Sequence, residues 1–360
     1  MRQSAPHQKL NPLPPKRALV ESLAILRADT RASRALGELK GIAQTMPNQA
    51  MLINAVVLQE AKDSSAIENI ITTQDELYKA ISSSKKTINP AIKEVVNYRK
   101  AIFYGCDLAK QQGFLKLKDV GEIQKIIIEN NAGFRKTPGT VLKNDTTGEI
   151  IYTPPQDKDH ILELLGNFLE HYNAQDSTLS PLIYLAILHY QFESIHPFYD
   201  GNGRTGRILN ILYLILNQLI DIPILYLSSY IIEHKSEYYR LLNKVNHANE
   251  WEEWIIYMLT AVEITATKTI QKIKGITKLL NETINSVKEN MPKAYNKELV
   301  ELLFEQPYSK IEYVVSKLGV ERKAASRYLK QLETLGIVTS QKIGRETIYV
   351  NEKLIEILKY

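Results

Sequence analysis

The sequence predicts a mainly α-helical protein with one β-hairpin set into it and a small helix-and-hairpin unit at its C-terminus. Three observations carry that expectation. Leu, Ile, Ala and Tyr recur at three- and four-residue intervals from about Leu19 to Leu280, the spacing that lines one helix face. Thr140 to Thr153 is β-rich instead. After Met291-Pro292, a plausible hinge, three short helical runs give way to two β-rich ones. With 360 residues, of which 44% are apolar and 24% charged, two or three ordinary globular domains are expected, and disorder or a fibrous fold is not.

In chain order, residues 1–18 contain Pro6, Pro12, Pro14 and Pro15 with few apolar anchors, which predicts an extended arm. Residues 19–110 form a helical region. Within it lies Ser64-Ser-Ala-Ile-Glu68-Asn69, where Ser64 and Glu68 are four apart and share a helix face. Ser65-x-x-Glu68 also has the form of a capping box, a common helix start. Residues 111–260 make a second region. Its Thr140-Val-Leu-Lys143 and Glu149-Ile-Ile-Tyr-Thr153 flank Asn144-Asp-Thr-Thr-Gly148 as a hairpin, and Pro154-Pro155 ends the second strand. Helical signals resume at about Asp157. Ser180 is a natural N-cap and Pro181 a natural first helical residue. Residues 261–292 continue as a helical linker. Residues 293–360 give helices Asn296–Glu305, Lys310–Lys317 and Arg322–Leu335, then strands near Ile337–Gln341 and Glu346–Val350, with Gly344 in the turn.

Composition narrows the classes. A net charge of +5 means little until it is located: residues 1–40 carry 8 basic and 3 acidic side chains, residues 291–360 carry 12 and 9, and the middle leans acidic. The single cysteine, Cys106, excludes an internal disulfide and a cysteine-built zinc site. The N-terminus lacks the apolar stretch of a signal peptide. The most apolar run, Ile208 to Ile220, is polar-interrupted and too short to span a bilayer. A cytoplasmic protein without membrane attachment is expected.

The densest cluster of unusual residues is His196-Pro-Phe-Tyr-Asp-Gly-Asn-Gly-Arg-Thr-Gly-Arg207. Gly201-x-Gly203-x-x-Gly206 matches the dinucleotide fingerprint literally, but the segment before it has helical rather than strand spacing, so that reading fails on context. A loop between two helices explains it better. Its glycines let backbone N–H groups face one concavity, and a helix from about Arg204 adds its positive end. Arg204 and Arg207 can fork onto phosphate oxygens. Asp200 is a hard oxygen ligand suited to Mg²⁺, and His196 can accept a proton near neutral pH. Alone, a histidine before proline is more often a structural hydrogen-bonder than a base, and an Asn-Gly pair is more often a turn. Glu193-x-x-His196 is half of a di-iron pattern with no second half in the chain. Together the parts suit phosphoryl or nucleotidyl transfer.

These twelve residues resemble the signature of the Fic-domain family, His-x-Phe-x-Asp/Glu-Gly-Asn-Gly-Arg-x-x-Arg, at every specified position. The resemblance extends over roughly residues 60–260 and implies a Fic-type helical core, catalytic over 111–260, with the hairpin as target-binding flap. It implies transfer of AMP from ATP to a Ser, Thr or Tyr hydroxyl of a target protein, self-modification included, with release of pyrophosphate. By resemblance His196 is the base, Phe198 a packing anchor, and Asp200 the Mg²⁺ ligand. Gly201, Asn202 and Gly203 form the anion nest, Arg204 and Arg207 meet the phosphates, and Thr205 and Gly206 complete the ATP-binding set. Tyr239 and Asn246 look similar to positions that contact adenosine, although Ser236-Glu-Tyr-Tyr-Arg-Leu-Leu is equally an ordinary amphipathic helix. Glu149, Ile150, Ile151 and Tyr152 would bind an extended target segment by strand addition. Ser64 to Asn69 resembles the family's inhibitory motif, so the resemblance implies that Glu68 pairs with Arg207 where ATP's γ-phosphate would lie. In some relatives that glutamate supports removal of AMP, which keeps de-AMPylation open.

The C-terminal unit resembles a winged helix-turn-helix domain. Arg322, Lys323, Arg327 and Lys330 lie on its third helix, with Lys342 and Arg345 at the wing turn, available for DNA phosphates. Glu321, Glu333 and Glu346 reduce the excess, and such units also serve docking or dimerisation, which leaves a homodimer open. A DNA-binding regulator whose Fic-like domain senses nucleotide is the alternative to an autoinhibited AMP-transferase. An intact His196 favours the enzyme, since a sensor needs no base.

Overall fold

The computed structural model describes residues 10–82, 89–143, 148–174, 178–343 and 346–359. The flap turn 144–147 and the wing residues Gly344 and Arg345 lie outside them. Of the arm, Leu10 and Leu13 are buried, and the Leu13 N–H and carbonyl pair with the Asn167 side chain at 2.7 and 3.2 Å.

A first group of helices follows: α1 (Leu23–Gln44), α2 (Gln49–Ile67), α3 (Gln74–Ser82) and α4 (Pro90–Gln112). Glu68 is the C-cap of α2. The Ser65–Glu68 pair therefore sits at a helix end, and the capping-box reading is overturned. Next come α5 (Leu117–Ile128), the flap strands β1 (Leu142–Lys143) and β2 (Ile150–Tyr152), and α6 (Lys158–Asn173). The strands are shorter than their β-rich runs, because the register shifts between Leu142 and Lys143 and Glu149 falls just before β2.

Helices α7 (Pro181–Ile195) and α8 (Asn202–Leu216) form the centre. Every α7 residue except Pro181 and Glu193 is buried, and α8 is buried from Arg204 to Ile215. Helices apolar around their whole circumference belong inside a core. Ser180 caps α7 and Pro181 opens it, as expected. Helix α8 begins at Asn202, two residues before the expected Arg204, so the amides of Asn202 and Gly203 lie in its first turn. Helices α4 and α5 pack on α8, and α6 and α11 (Trp251–Asn290) on α7; α9 (Ser228–Glu233) packs on α2 and α11, and α10 (Lys235–Ala248) on α11. The 40-residue α11 runs unbroken through residue 260 and packs along α1. Among the described residues no helix is long and apolar enough to cross a membrane.

The C-terminal unit contains α12 (Lys297–Glu305), β3 (Tyr308–Ser309), α13 (Ile311–Leu318), α14 (Arg322–Thr334), β4 (Thr339–Ile343), β5 (Glu346–Val350) and α15 (Glu352–Lys359). The three helices and the hairpin follow the expected order. The strand β3, which adds to β5 to give the order β3-β5-β4, and the closing helix α15 are additional. Helix α12 packs on α2, and α15 on α11. Tyr308 stacks on Tyr78 with ring centroids 4.8 Å apart and donates to Asp75 at 2.8 Å.

Candidate active site

The loop 196–201 joins the C-terminus of α7 to the N-terminus of α8, so a row of carbonyls ends where a row of amides begins. His196 caps α7 in the left-handed region (φ 48°, ψ 58°), its N–H on the Phe192 carbonyl at 3.1 Å. A non-glycine residue is rarely found there, and the loop is braced accordingly. Phe198 is fully buried, forms a β-bridge with Phe134 and stacks on its ring at 4.9 Å. Asn202 closes the turn from the other side: its Oδ1 accepts the Phe198 N–H and its Nδ2 donates to the Phe198 carbonyl, both at 2.8 Å.

Gly201, the N-cap of α8, has φ 81°, and a β-carbon there would also meet Ile128 at 2.9 Å. At Gly203 the constraint is space. A β-carbon would overlap Oε1 of Glu68 and lie 2.9 Å from Nη1 of Arg207. The Glu68 carboxylate thus rests against the first turn of α8, where amides without intrahelical acceptors and the helix dipole favour an anion.

The structure brings Ser64, Glu68 and Arg207 together. Arg207, 3% exposed, donates to Ser64 Oγ at 2.7 Å, to the Ser64 carbonyl at 2.9 Å and to Glu68 Oε1 at 2.8 Å. Burial would raise the Glu68 pKa, but Arg207, by charge and hydrogen bond, and Arg204 outweigh it and hold the carboxyl below its ordinary range. Burial opposes the charge on Arg207, yet Glu68 and other neighbours keep it firmly protonated. Arg204 is equally buried, with Nη1 on Glu94 at 2.5 Å and Nη2 on Asp200 at 3.3 Å. Asp200 is largely exposed and also accepts the Gly201 N–H at 2.6 Å.

Burial, and then the charge of Arg135, depress His196 to a pKa of about 4 against the pull of the Glu193 carbonyl, Glu68 and Asp200. Its imidazole is therefore neutral, and able to take a proton, at physiological pH. Burial pushes Glu193 up to about 7. Thr205 is fully buried, its N–H on the Gly201 carbonyl at 2.9 Å, and Gly206 lies against Glu193 and Phe192.

The remaining expected residues sit further out. Tyr152 is buried and donates to the Ser194 carbonyl at 2.9 Å; Ile150 is exposed; the Ile151 carbonyl faces His247 Nε2 at 3.4 Å. Among the described residues no third strand pairs with the flap. Tyr239 is exposed on α10, edge-on to Tyr238. Asn246 spends its side-chain oxygen on Tyr190 at 2.8 Å and Ser194 at 3.2 Å, tying α10 to α7.

Three residues escaped sequence reasoning. Glu94 pairs with Arg204, Arg135 grips the loop, and Lys235 holds the end of α2 through the Ile67 carbonyl at 2.6 Å. Each is a lone charge in an ordinary context, without a local signal. Among the described residues no three His, Cys, Asp or Glu side chains converge on a metal position. One exposed carboxylate beside an anion nest does suit a cation shared with phosphates, since Mg²⁺ is commonly held by one or two carboxylates plus substrate oxygens. The arrangement can bind an anionic ligand, neutralise it and accept a proton beside it.

Three family models match the chain: Fic/DOC family N-terminal over residues 26–107, Fic/DOC family over 114–214, and the C-terminal domain of the SoFic-like protein adenylyltransferases over 279–354. The protein adenylyltransferase fic-1 of Caenorhabditis elegans is 28% identical over 160 residues, 42% of this chain and 29% of that protein. Protein adenylyltransferase Fic of Drosophila grimshawi is 45% identical over 60 residues, 16% of this chain and 12% of that protein. The chain thus spans under a third of the length of these relatives. Among solved structures, a Fic family protein from Desulfovibrio desulfuricans superposes with a TM-score of 0.59 at 17% identity, covering 92% of this chain and 96% of its own. A fragment of C. elegans Fic-1 gives 0.55 at 21% identity over 69% and 74% of the two chains. At such identities the likeness is one of fold.

Proposed function

The chain belongs to the Fic/DOC family, and from that premise we propose that it is a protein adenylyltransferase held in check by its own Glu68. The observation that carries the reading is the Glu68 carboxylate seated against Gly203 and on Arg207: an intramolecular anion in a place built for one.

In the working state Glu68 leaves, and the triphosphate of ATP takes the α8 N-terminus, with Arg204 and Arg207 neutralising its oxygens. Asp200 would hold Mg²⁺, which when bound screens phosphate charge. An extended segment of the target adds along the flap, so that backbone hydrogen bonds carry a Ser, Thr or Tyr hydroxyl to His196. The hydroxyl oxygen attacks the α-phosphorus and the bond to the bridging oxygen breaks. Its proton passes to the His196 imidazole, and pyrophosphate leaves with its charge met by the arginines. The depressed pKa of His196 keeps the base unprotonated until that moment. Tyr239 remains available to the nucleoside on this reading, whereas Asn246 is better explained as a link between α7 and α10.

The test is mass spectrometry of the parent, Glu68→Gly and His196→Ala proteins incubated with ATP, Mg²⁺ and a cell lysate. An AMP adduct on the protein or a target, raised in the Glu68 variant and absent in the His196 variant, is expected; no adduct in the Glu68 variant would overturn the reading. Loss of AMP from a pre-modified target would instead indicate hydrolysis.

A second activity has its own support. The outer face of α14 presents Lys323, Arg327 and Lys330 around a shallow depression with Ser326, Gln331 and Thr334, at the spacing of one helix face. This favours contacts to DNA phosphates by a winged helix-turn-helix unit. Retention on duplex DNA that weakens steeply with salt, and is lost in Lys323→Glu/Arg327→Glu, is expected.

A further inference from the structure

The last three carbonyls at the end of α7 are all taken by side chains from the flap region. Ser194 accepts the Tyr152 hydroxyl at 2.9 Å. His196 and Ile195 accept Arg135, from Nε at 2.7 Å and Nη2 at 3.4 Å. The same Nη2 donates to the Pro155 carbonyl at 2.8 Å, just beyond the second flap strand. Arg135 also pairs through its backbone, its N–H on the Pro197 carbonyl at 2.8 Å. One residue therefore grips the turn carrying the imidazole and the foot of the hairpin together.

Its environment is costly for a cation. Arg135 is 0% exposed; among the described residues the groups whose charge supports it are only the tyrosines Tyr199 and Tyr152, and the third titratable group beside it is the His196 imidazole. What compensates is the negative end of α7, whose terminal carbonyls lack intrahelical donors. An apolar side chain of similar length would fill the space without that desolvation penalty, so the charge and fork geometry call for a reason beyond packing.

We propose that Arg135 is a positioning residue for His196, fixing the turn that carries the base and locking it to the flap, so that base and docked hydroxyl keep one geometry. This rests on the adenylyl-transfer reading. Arg135 also acts through its charge, which helps hold the imidazole pKa down against Glu193 on α7, Glu68 at the end of α2 and Asp200 in the loop. Removing a positive neighbour raises the pKa of a histidine, so the acid limb of the activity profile must move to higher pH.

The experiment uses the full chain in the Glu68→Gly background, alone and with Arg135→Met or Arg135→Lys. For the methionine variant, kcat should fall on the order of 10- to 100-fold, with KM for ATP nearly unchanged and the acid limb displaced upward. Lysine keeps the charge but cannot fork, so it should leave the limb in place and recover part of kcat. Thermal melting reports folding, and if the methionine variant does not fold, the lysine variant carries the test with reduced kcat and an unmoved limb. Variants matching the background in kcat and pH limb, or raising KM alone, would overturn the proposal. If Glu68→Gly itself transfers no AMP, the adenylyl reading fails by itself. NMR titration of the His196 ring in ligand-free protein then decides positioning: an upward pKa with displaced ring resonances in Arg135→Met supports it, and superimposable titrations sink it.

Discussion

The two helix ends that meet at the loop 196–201 are neutralised in opposite ways. At the C-terminus of α7 the partial negative charge meets a cation, Arg135, which is fully buried and shared between the Ile195 and His196 carbonyls there and the Pro155 carbonyl of the flap. At the N-terminus of α8 the partial positive charge meets an anion, Glu68, whose side chain is 34% exposed and sits on a helix cap. Both complement the helix dipole. The first is enclosed in the core, whereas the second, partly open to solvent, is the one that the proposed function has another anion replace. On the proposed reading, a permanent counter-charge serves geometry and an exchangeable one serves control.

Predictions bear on that contrast, the largest effect first. His196→Ala, at the junction of the two ends, should lower label transfer from ATP by about 10²–10⁴-fold; transfer near the parent rate would remove the base from the account. Glu68→Gly should raise it by roughly 5- to 150-fold, the usual span of an intramolecular coupling, read as adduct on intact protein. An unchanged rate would make the second counter-charge as structural as the first. Ser64→Ala deletes one of three hydrogen bonds to Arg207 and leaves Glu68 in place, so a few-fold rise is expected from the loss of about 1 kcal/mol. If it equals Glu68→Gly, the hydroxyl rather than the carboxylate sets the brake.

The smallest effect concerns pH. Because Arg207 holds the Glu68 carboxyl below its ordinary value, the ion pair is intact above the usual glutamate range and is lost as pH falls through the lowered value. Binding of a fluorescent ATP analogue to the parent should therefore converge on that of Glu68→Gly only in acid. Convergence already at neutral pH would sever the link between this ion pair and nucleotide access.

The loop was legible in advance because its chemistry is contiguous: twelve residues hold the histidine, the glycine-rich turn, the carboxylate and both arginines. The Ser64–Glu68 motif was legible as a four-residue helix spacing, although spacing alone could not tell a helix start from a helix end. Arg135, Glu94 and Lys235 were not, since a single charge acquires its role only from carbonyls or ions that the fold brings from elsewhere. Helix α8 begins earlier than expected because Asn202 bonds back to Phe198 on both sides, overriding the poor helix propensity of Gly203. The strand β3 exists through pairing with Tyr349 and Val350, some forty residues on, which two residues of local sequence do not announce. The helix α15 is short, and its partner α11 lies far back in the chain.

The close approach at Gly203 has a consequence for dosage. If Glu68 and a phosphate claim the same volume, the glutamate behaves as a tethered competitor whose effective concentration is set by the chain and never diluted. The nucleotide's concentration is set by the cell. The activity of such a protein is a ratio of the two, so anything that loosens the end of α2 lowers the ATP level at which it starts to work.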